Sequence, residues 1–215
     1  MNSIHALPGN NMSGCCNNNC SLDPLRDQQR GTLRIVLVIN AVMFFVIAVA
    51  ALYGNSSALL SDSLDNLGDA LTYGVSLYAV SRGRAAKARV ALFKGSLIFL
   101  GACVVAGQIA YKLPSPSLPT YEVMGIFSLL GLAANGLCLL LLWRHRDEDV
   151  NMSSVWECSR NDIATNLSVF LAAGAVWLTD SAWPDILVAA GLVLLLLRSA
   201  IRVLVSARNE LQAAS

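Results

Sequence analysis

Residues 57–80, SALLSDSLDNLGDALTYGVSLYAV, are long and apolar enough to cross a bilayer, which takes about 20 residues, yet they carry Asp62, Asp65 and Asp69. With Thr72 and Ser76 these fall at intervals of three, four, three and four, so all five line one face of a helix. A carboxylate turned to lipid costs on the order of 3 kcal/mol by insertion scales. The stripe must therefore face the inside of a helix bundle and meet a cation or protons there. The rest of the chain has to house it.

Hydrophobic residues make up 55% of the 215 and are gathered in six runs, at 33–53, 57–80, 90–111, 121–143, 156–179 and 185–205. Runs of that length do not suit a water-soluble core. The expected fold is an all-α integral membrane protein, a bundle of six transmembrane helices. A net charge of +1 says nothing about nucleic acid, and no basic domain suggests it as a partner; the expected partner is membrane lipid. The polar opening, MNSIHALPGNNMSGCCNNNCSLDPLRDQQR, lacks the apolar core of a signal peptide. Three of the six cysteines sit near the N-terminus and three in or beside apolar runs, unlike a secreted disulfide framework.

Positive charge orients the runs. Arg26, Arg30 and Arg34 precede the first, Arg82, Arg84, Lys87 and Arg89 follow the second, Arg144 and Arg146 follow the fourth, and Arg202 and Arg208 close the sixth. The opposite connectors hold only Lys112. The positive-inside rule then places both termini in the cytoplasm of a multi-pass protein, expected in a plasma or bacterial inner membrane. Three parts result: a disordered cytoplasmic tail at 1–30, the six-span domain at 31–208 and a short tail at 209–215.

Residues four apart stand above one another on a helix. Asp65 with Asp69 is thus one two-ligand clip, and Cys158 with Asp162 on the fifth run is another. The two runs echo each other, Asp65-x-x-x-Asp69-x-x-Thr72 against Cys158-x-x-x-Asp162-x-x-Thr165. Facing clips would offer four ligands, the number Zn²⁺ takes in tetrahedral geometry. Mixed carboxylate and thiolate donors suit Zn²⁺ or a softer ion better than Mg²⁺ or Ca²⁺. Asp62, a turn away, is either an outer partner of this site or a proton site. Three carboxylates and a thiolate exceed a divalent ion by two charges, too many to bury uncompensated. Either some groups stay protonated or Arg160, two residues from both Cys158 and Asp162, supplies positive charge. Ligands bind metal deprotonated, so a site holding either protons or M²⁺ and facing each side in turn is a proton/metal exchanger.

The motif from Gly54 through Asp62 and Asp65 to Asp69 resembles the second span of cation diffusion facilitator transporters, and 156–176 is similar to their fifth. The resemblance implies a six-helix bundle, a divalent-metal site shared by those spans, and metal/H⁺ antiport out of the cytoplasm. It favours Cys158 as a ligand, since it stands where the family has His. Asp65 also occupies a place where many members have His. Zn²⁺ is the family's usual cargo; the thiols tilt the choice towards Cd²⁺ or Pb²⁺, and the extra Asp leaves Co²⁺ and Fe²⁺ open. The family's C-terminal cytoplasmic domain has no counterpart in this sequence, so a homodimer would form through the spans; Gly95, Gly101, Ala102, Ala106 and Gly107 either serve that contact or pack within one bundle.

Cys15, Cys16 and Cys20, with His5 upstream, form either a cytoplasmic soft-metal hook or reduced thiols in a loose tail. Cys103 and Cys138 are expected to be packing residues, and His145 solvated. Two other classes stay open: a non-transporting membrane metal sensor or partner subunit, and an intramembrane aspartyl protease built on Asp69 and Asp162. The leading expectation is a transporter that is not an enzyme and holds no cofactor beyond its transported metal and counter-moving protons.

Overall fold

The structure is a computed structural model that describes residues 27–79, 84–143 and 150–213. Among these every regular element is a helix: α1 Asp27–Tyr53, α2 Ser57–Ala79, α3 Arg84–Lys112, α4 Tyr121–Trp143, α5 Val150–Thr179 and α6 Trp183–Ala213. The six apolar runs each fall on one of them. Four helices outrun their apolar cores: α1, α3 and α5 begin before residues 33, 90 and 156, and α6 continues past 205. Much of the expected connectors 81–89 and 144–155 is therefore helical. The added turns of α3 (RAAKAR) and α6 (SARNELQA) are rich in Ala, Arg and other residues that hold a helix in water as readily as apolar ones do, whereas those of α5 (VNMSSV) are not.

Sidedness identifies the solvent. On α1 the buried stripe is Leu33, Val36, Asn40, Met43, Ile47 and Ala50, and the exposed one is Ile35, Val38, Val42, Phe45, Val49 and Leu52. The inward face of α4 is Met124, Ser128, Gly131, Asn135, Cys138 and Leu142, while Ile126, Leu137 and Leu140 look outward. An interior smaller and more polar than the exterior is the pattern of helices that pack in lipid. Five helices are long and apolar enough to span by length and composition, at Arg30–Tyr53, Ala88–Lys112, Tyr121–Trp143, Arg160–Thr179 and Trp183–Gln212. The sixth, α2, carries too many acids for that criterion. It lies instead at the centre, touching every other helix.

The most extensive pairings are α1 with α2, α3 with α6 and α4 with α5. Small residues on α3 make two contacts close. A Cβ on Gly101 would stand 2.8 Å from Leu64 Cδ2 on α2, and one on Gly95 would stand 3.0 Å from Leu204 on α6. Gly95, Gly101 and Ala102 thus serve packing inside one bundle. Overpacking costs about 1–3 kcal/mol, so Gly101→Ala is expected to lower the melting temperature of the detergent-purified protein. Gly107→Ala, with nothing within 4 Å of its Cβ, should leave it unchanged, and equal melting of the two variants would refute the α2–α3 contact.

The turn between α1 and α2 accounts for its backbone groups closely. α1 ends with Asn55 in the left-handed region (φ 51°), where Asn is tolerated. Ser56 N–H reaches back to Ala51 O at 3.0 Å. α2 then starts with four N–H groups lacking partners in the helix. Ser56 Oγ accepts from Leu59 N–H (3.1 Å), and Ser56 C=O accepts from Leu60 N–H (3.3 Å). Asp185, buried in the first turn of α6, accepts from Ser57 N–H (2.9 Å), Ala58 N–H (3.0 Å) and the Ser56 hydroxyl (2.6 Å). Lys112, at the end of α3, donates to Asn55 C=O at 2.6 Å. Thr120 N–H, just before α4, donates to Gly54 C=O at 2.9 Å. One end of the bundle is thus tied together by α2's own start, and this fixes how α2 descends into the core.

Candidate metal centre

The helical periodicity of α2 carries Asp62, Asp65 and Asp69 inward as one stripe. Asp62 and Asp69 are buried and Asp65 is half-buried. From α5 the buried Asp162 projects towards them. The carboxyls of Asp69 and Asp162 lie within hydrogen-bonding reach of each other, and Asp65 pairs with the hydroxyl of Thr165, one turn on from Asp162. Three of the four expected ligands, with the Thr of the α5 echo, thus meet across the α2–α5 contact. Cys158 belongs to α5, one turn before Asp162, but its side chain lies outside the described residues. Among the described residues no three His, Cys, Asp or Glu side chains enclose an ion-sized site. The acids stand as close neighbours.

The surroundings hold the carboxyls in place. Tyr73, fully buried a turn below, donates its hydroxyl to Asp69 Oδ2 at 3.1 Å. Asn66 Nδ2 donates to Asp62 C=O at 3.0 Å, and Asn166 Nδ2 donates to Asp162 C=O at 2.9 Å. The carboxamide of Asn166 occupies the space over Gly131 of α4, where any side chain would overlap it. Both oxygens of Asp62 and the Oδ1 atoms of Asn66 and Asn166 are buried without a hydrogen-bond partner.

Lys94 is the main residue that the sequence reading passed over. It lies within the third apolar run, is 8% exposed, and donates through Nζ to Thr72 Oγ1 while sensing the charge of Asp69. The Thr72 hydroxyl in turn donates to Gly68 C=O at 2.7 Å. The available signal was the residue type itself, since an ionisable side chain inside a span calls for a partner. Arg160, weighed in the sequence against protonated acids as a source of compensation, is exposed.

Cys138 is buried in a cluster with Leu33, Val36, Tyr73 and Leu142, as expected of a packing thiol, yet Asn40 Nδ2 approaches its Sγ at 3.8 Å and Asp69 lies within electrostatic reach. Cys103 is exposed on the outer face. Cys15, Cys16, Cys20, His5 and His145 lie outside the described residues.

The arrangement gathers groups of the kind that bind either protons or a cation. Carboxyls from two helices meet in a buried, polar core, next to an internal cation and a phenol donor. The family model of the cation efflux transmembrane domain matches residues 33–212, which include all six helices' apolar cores and every buried acid named above. No curated protein matches the chain significantly.

Proposed function

The chain belongs to the cation diffusion facilitator family of metal-cation transporters and is an integral, multi-pass membrane protein, and from that premise we propose that it exports a divalent heavy metal in exchange for protons. The observation that carries this reading is the meeting of Asp69 and Asp162 from different helices. Two carboxyls at that separation share a proton when no ion lies between them, because like charges so close do not both ionise. An arriving cation takes the proton's place, since ligands bind metal deprotonated. Asp65, Asp69 and Asp162 serve as oxygen ligands in this scheme, and Cys158 completes the set from one turn before Asp162. Asp62, whose oxygens have no partner, is the second proton site.

Zn²⁺ is the default cargo, with Cd²⁺, Pb²⁺ and Co²⁺ as competitors, because a site of three carboxylates and a thiolate accepts both borderline and soft ions. With the arginine-rich end in the cytoplasm, metal leaves the cell and protons enter. The same Asp pair would suit a two-acid protease, but membership of a transporter family favours reading it as a cation site.

The test is metal uptake into proteoliposomes by wild type and Cys158→Ala across Zn²⁺, Cd²⁺, Pb²⁺ and Co²⁺. Wild type is expected to transport at least one of the soft ions. Cys158→Ala is expected to lose Cd²⁺ and Pb²⁺ flux by about ten-fold relative to Co²⁺, the scale of losing one preferred ligand interaction. Binding of all four ions with flux of none would replace the transporter by a metal sensor or partner subunit.

A further inference from the structure

The acids of the α2–α5 site outnumber what a divalent ion neutralises, and the excess sits in a medium that does not tolerate it. Among the described residues the two buried cations are Lys94 and Lys112. Lys112 belongs to the opposite grouping, with Asn55 and Asp185 at the start of α2. Lys94 alone stands at the acidic stripe.

Its position is not that of a lysine escaping to the interface. Lys94 lies about ten residues into α3, or roughly 15 Å of helix from Arg84. Its ammonium could extend along the helix towards water. Instead it is buried and bound to Thr72, itself a member of the stripe, one turn from Asp69. Burying an ammonium costs several kcal/mol unless charges of opposite sign face it. Asp69 is the acid it senses, and Thr72 fixes the distance.

We propose that Lys94 is the fixed positive charge of the transport site, offsetting the surplus negative charge of Asp65, Asp69 and Asp162 and so limiting how tightly a divalent ion is held. This rests on the reading of those acids as metal ligands. With no ion bound, the ammonium offsets the carboxylate charge that the shared protons leave. With an ion bound, it repels the ion and helps it leave. Lys94 is therefore a positioning and tuning residue that does not itself ligate metal.

The experiment is calorimetric titration of the full-length, detergent-purified protein with Zn²⁺ at one fixed pH. The variants are Lys94→Gln, Lys94→Arg and Asp69→Asn. Lys94→Gln keeps a donor for Thr72 and loses the charge. It is expected to bind Zn²⁺ about ten-fold more tightly, as removal of one nearby like charge implies. Lys94→Arg keeps the charge and should bind as wild type does. An affinity in Lys94→Gln equal to or weaker than wild type overturns the proposal, and so does equal tightening by Gln and Arg, which would point to packing alone.

If Lys94→Gln is too unstable to purify without metal, purification in saturating Zn²⁺ gives the parallel readout. The rise in melting temperature on adding Zn²⁺ should exceed that of wild type, and an equal or smaller rise overturns the inference. Asp69→Asn separates the two levels. If wild type and Asp69→Asn bind Zn²⁺ alike, the metal-site reading itself fails. If Asp69→Asn weakens binding and Lys94→Gln changes nothing, only the role of Lys94 fails.

Discussion

Asp69→Asn is expected to abolish metal transport while leaving the protein folded. Asp69 is the one acid that faces Asp162 across the α2–α5 contact, accepts from Tyr73 and senses Lys94. The amide is nearly isosteric and still accepts from Tyr73, so the bundle keeps its geometry. It offers no charged oxygen to a cation and cannot trade a proton for one. Partners that merely orient ligands cost about 10–100-fold when removed, so loss of a ligand should exceed about 100-fold in initial flux. The check is flux in proteoliposomes together with a melting curve of the same preparation. Wild-type flux with an unchanged melting curve would remove Asp69 from the site.

Asp185→Ala should produce the largest loss of stability with the least change in the site's own chemistry. The substitution strips two buried backbone N–H groups, Ser57 and Ala58, and the Ser56 hydroxyl of their acceptor. Each orphaned buried donor costs about 1–3 kcal/mol, and unpairing a buried charge about 3–5 kcal/mol. Together these give a destabilisation of about 3–5 kcal/mol or more, read as a pronounced drop in melting temperature. Asp185→Asn keeps an acceptor oxygen and loses only the favourable charge at the start of α2, about 1 kcal/mol. The order wild type, Asp185→Asn, Asp185→Ala in falling stability is the expected result. Equal melting of all three would mean that the α2 cap does not hold the bundle.

How much of this was legible in the sequence follows from which interactions are local. Helical periodicity is local, so the inward stripe of Asp62, Asp65 and Asp69 and the six spans could be read directly. Apolar runs mark only the part of a helix that lipid requires, which is why the starts of α1, α3 and α5 and the end of α6 lay beyond the expected bounds. The pairing of α2 with α5 was suggested by their two-ligand clips and by the family resemblance, and the structure brings Asp69 to Asp162 and Asp65 to Thr165. Lys94 and Asp185 were passed over because their partners are distant in the chain. Lys94 meets Thr72 from a neighbouring helix, and Asp185, at the start of α6, caps α2. Cys138 shows the same limit: nothing near it in the sequence is acidic, yet α4 carries it towards Asp69.

The central claim is that protons and metal use the same carboxyls in opposite directions. The most direct measurement is wild-type protein in liposomes carrying both a metal-sensitive and a pH-sensitive dye, with Zn²⁺ and Cd²⁺ supplied outside. Lumenal metal should rise and the lumen should turn alkaline on the same time course, with both signals absent in Asp69→Asn. Metal entry with an unchanged lumenal pH would contradict the exchange and leave a transporter whose buried acids hold their protons throughout.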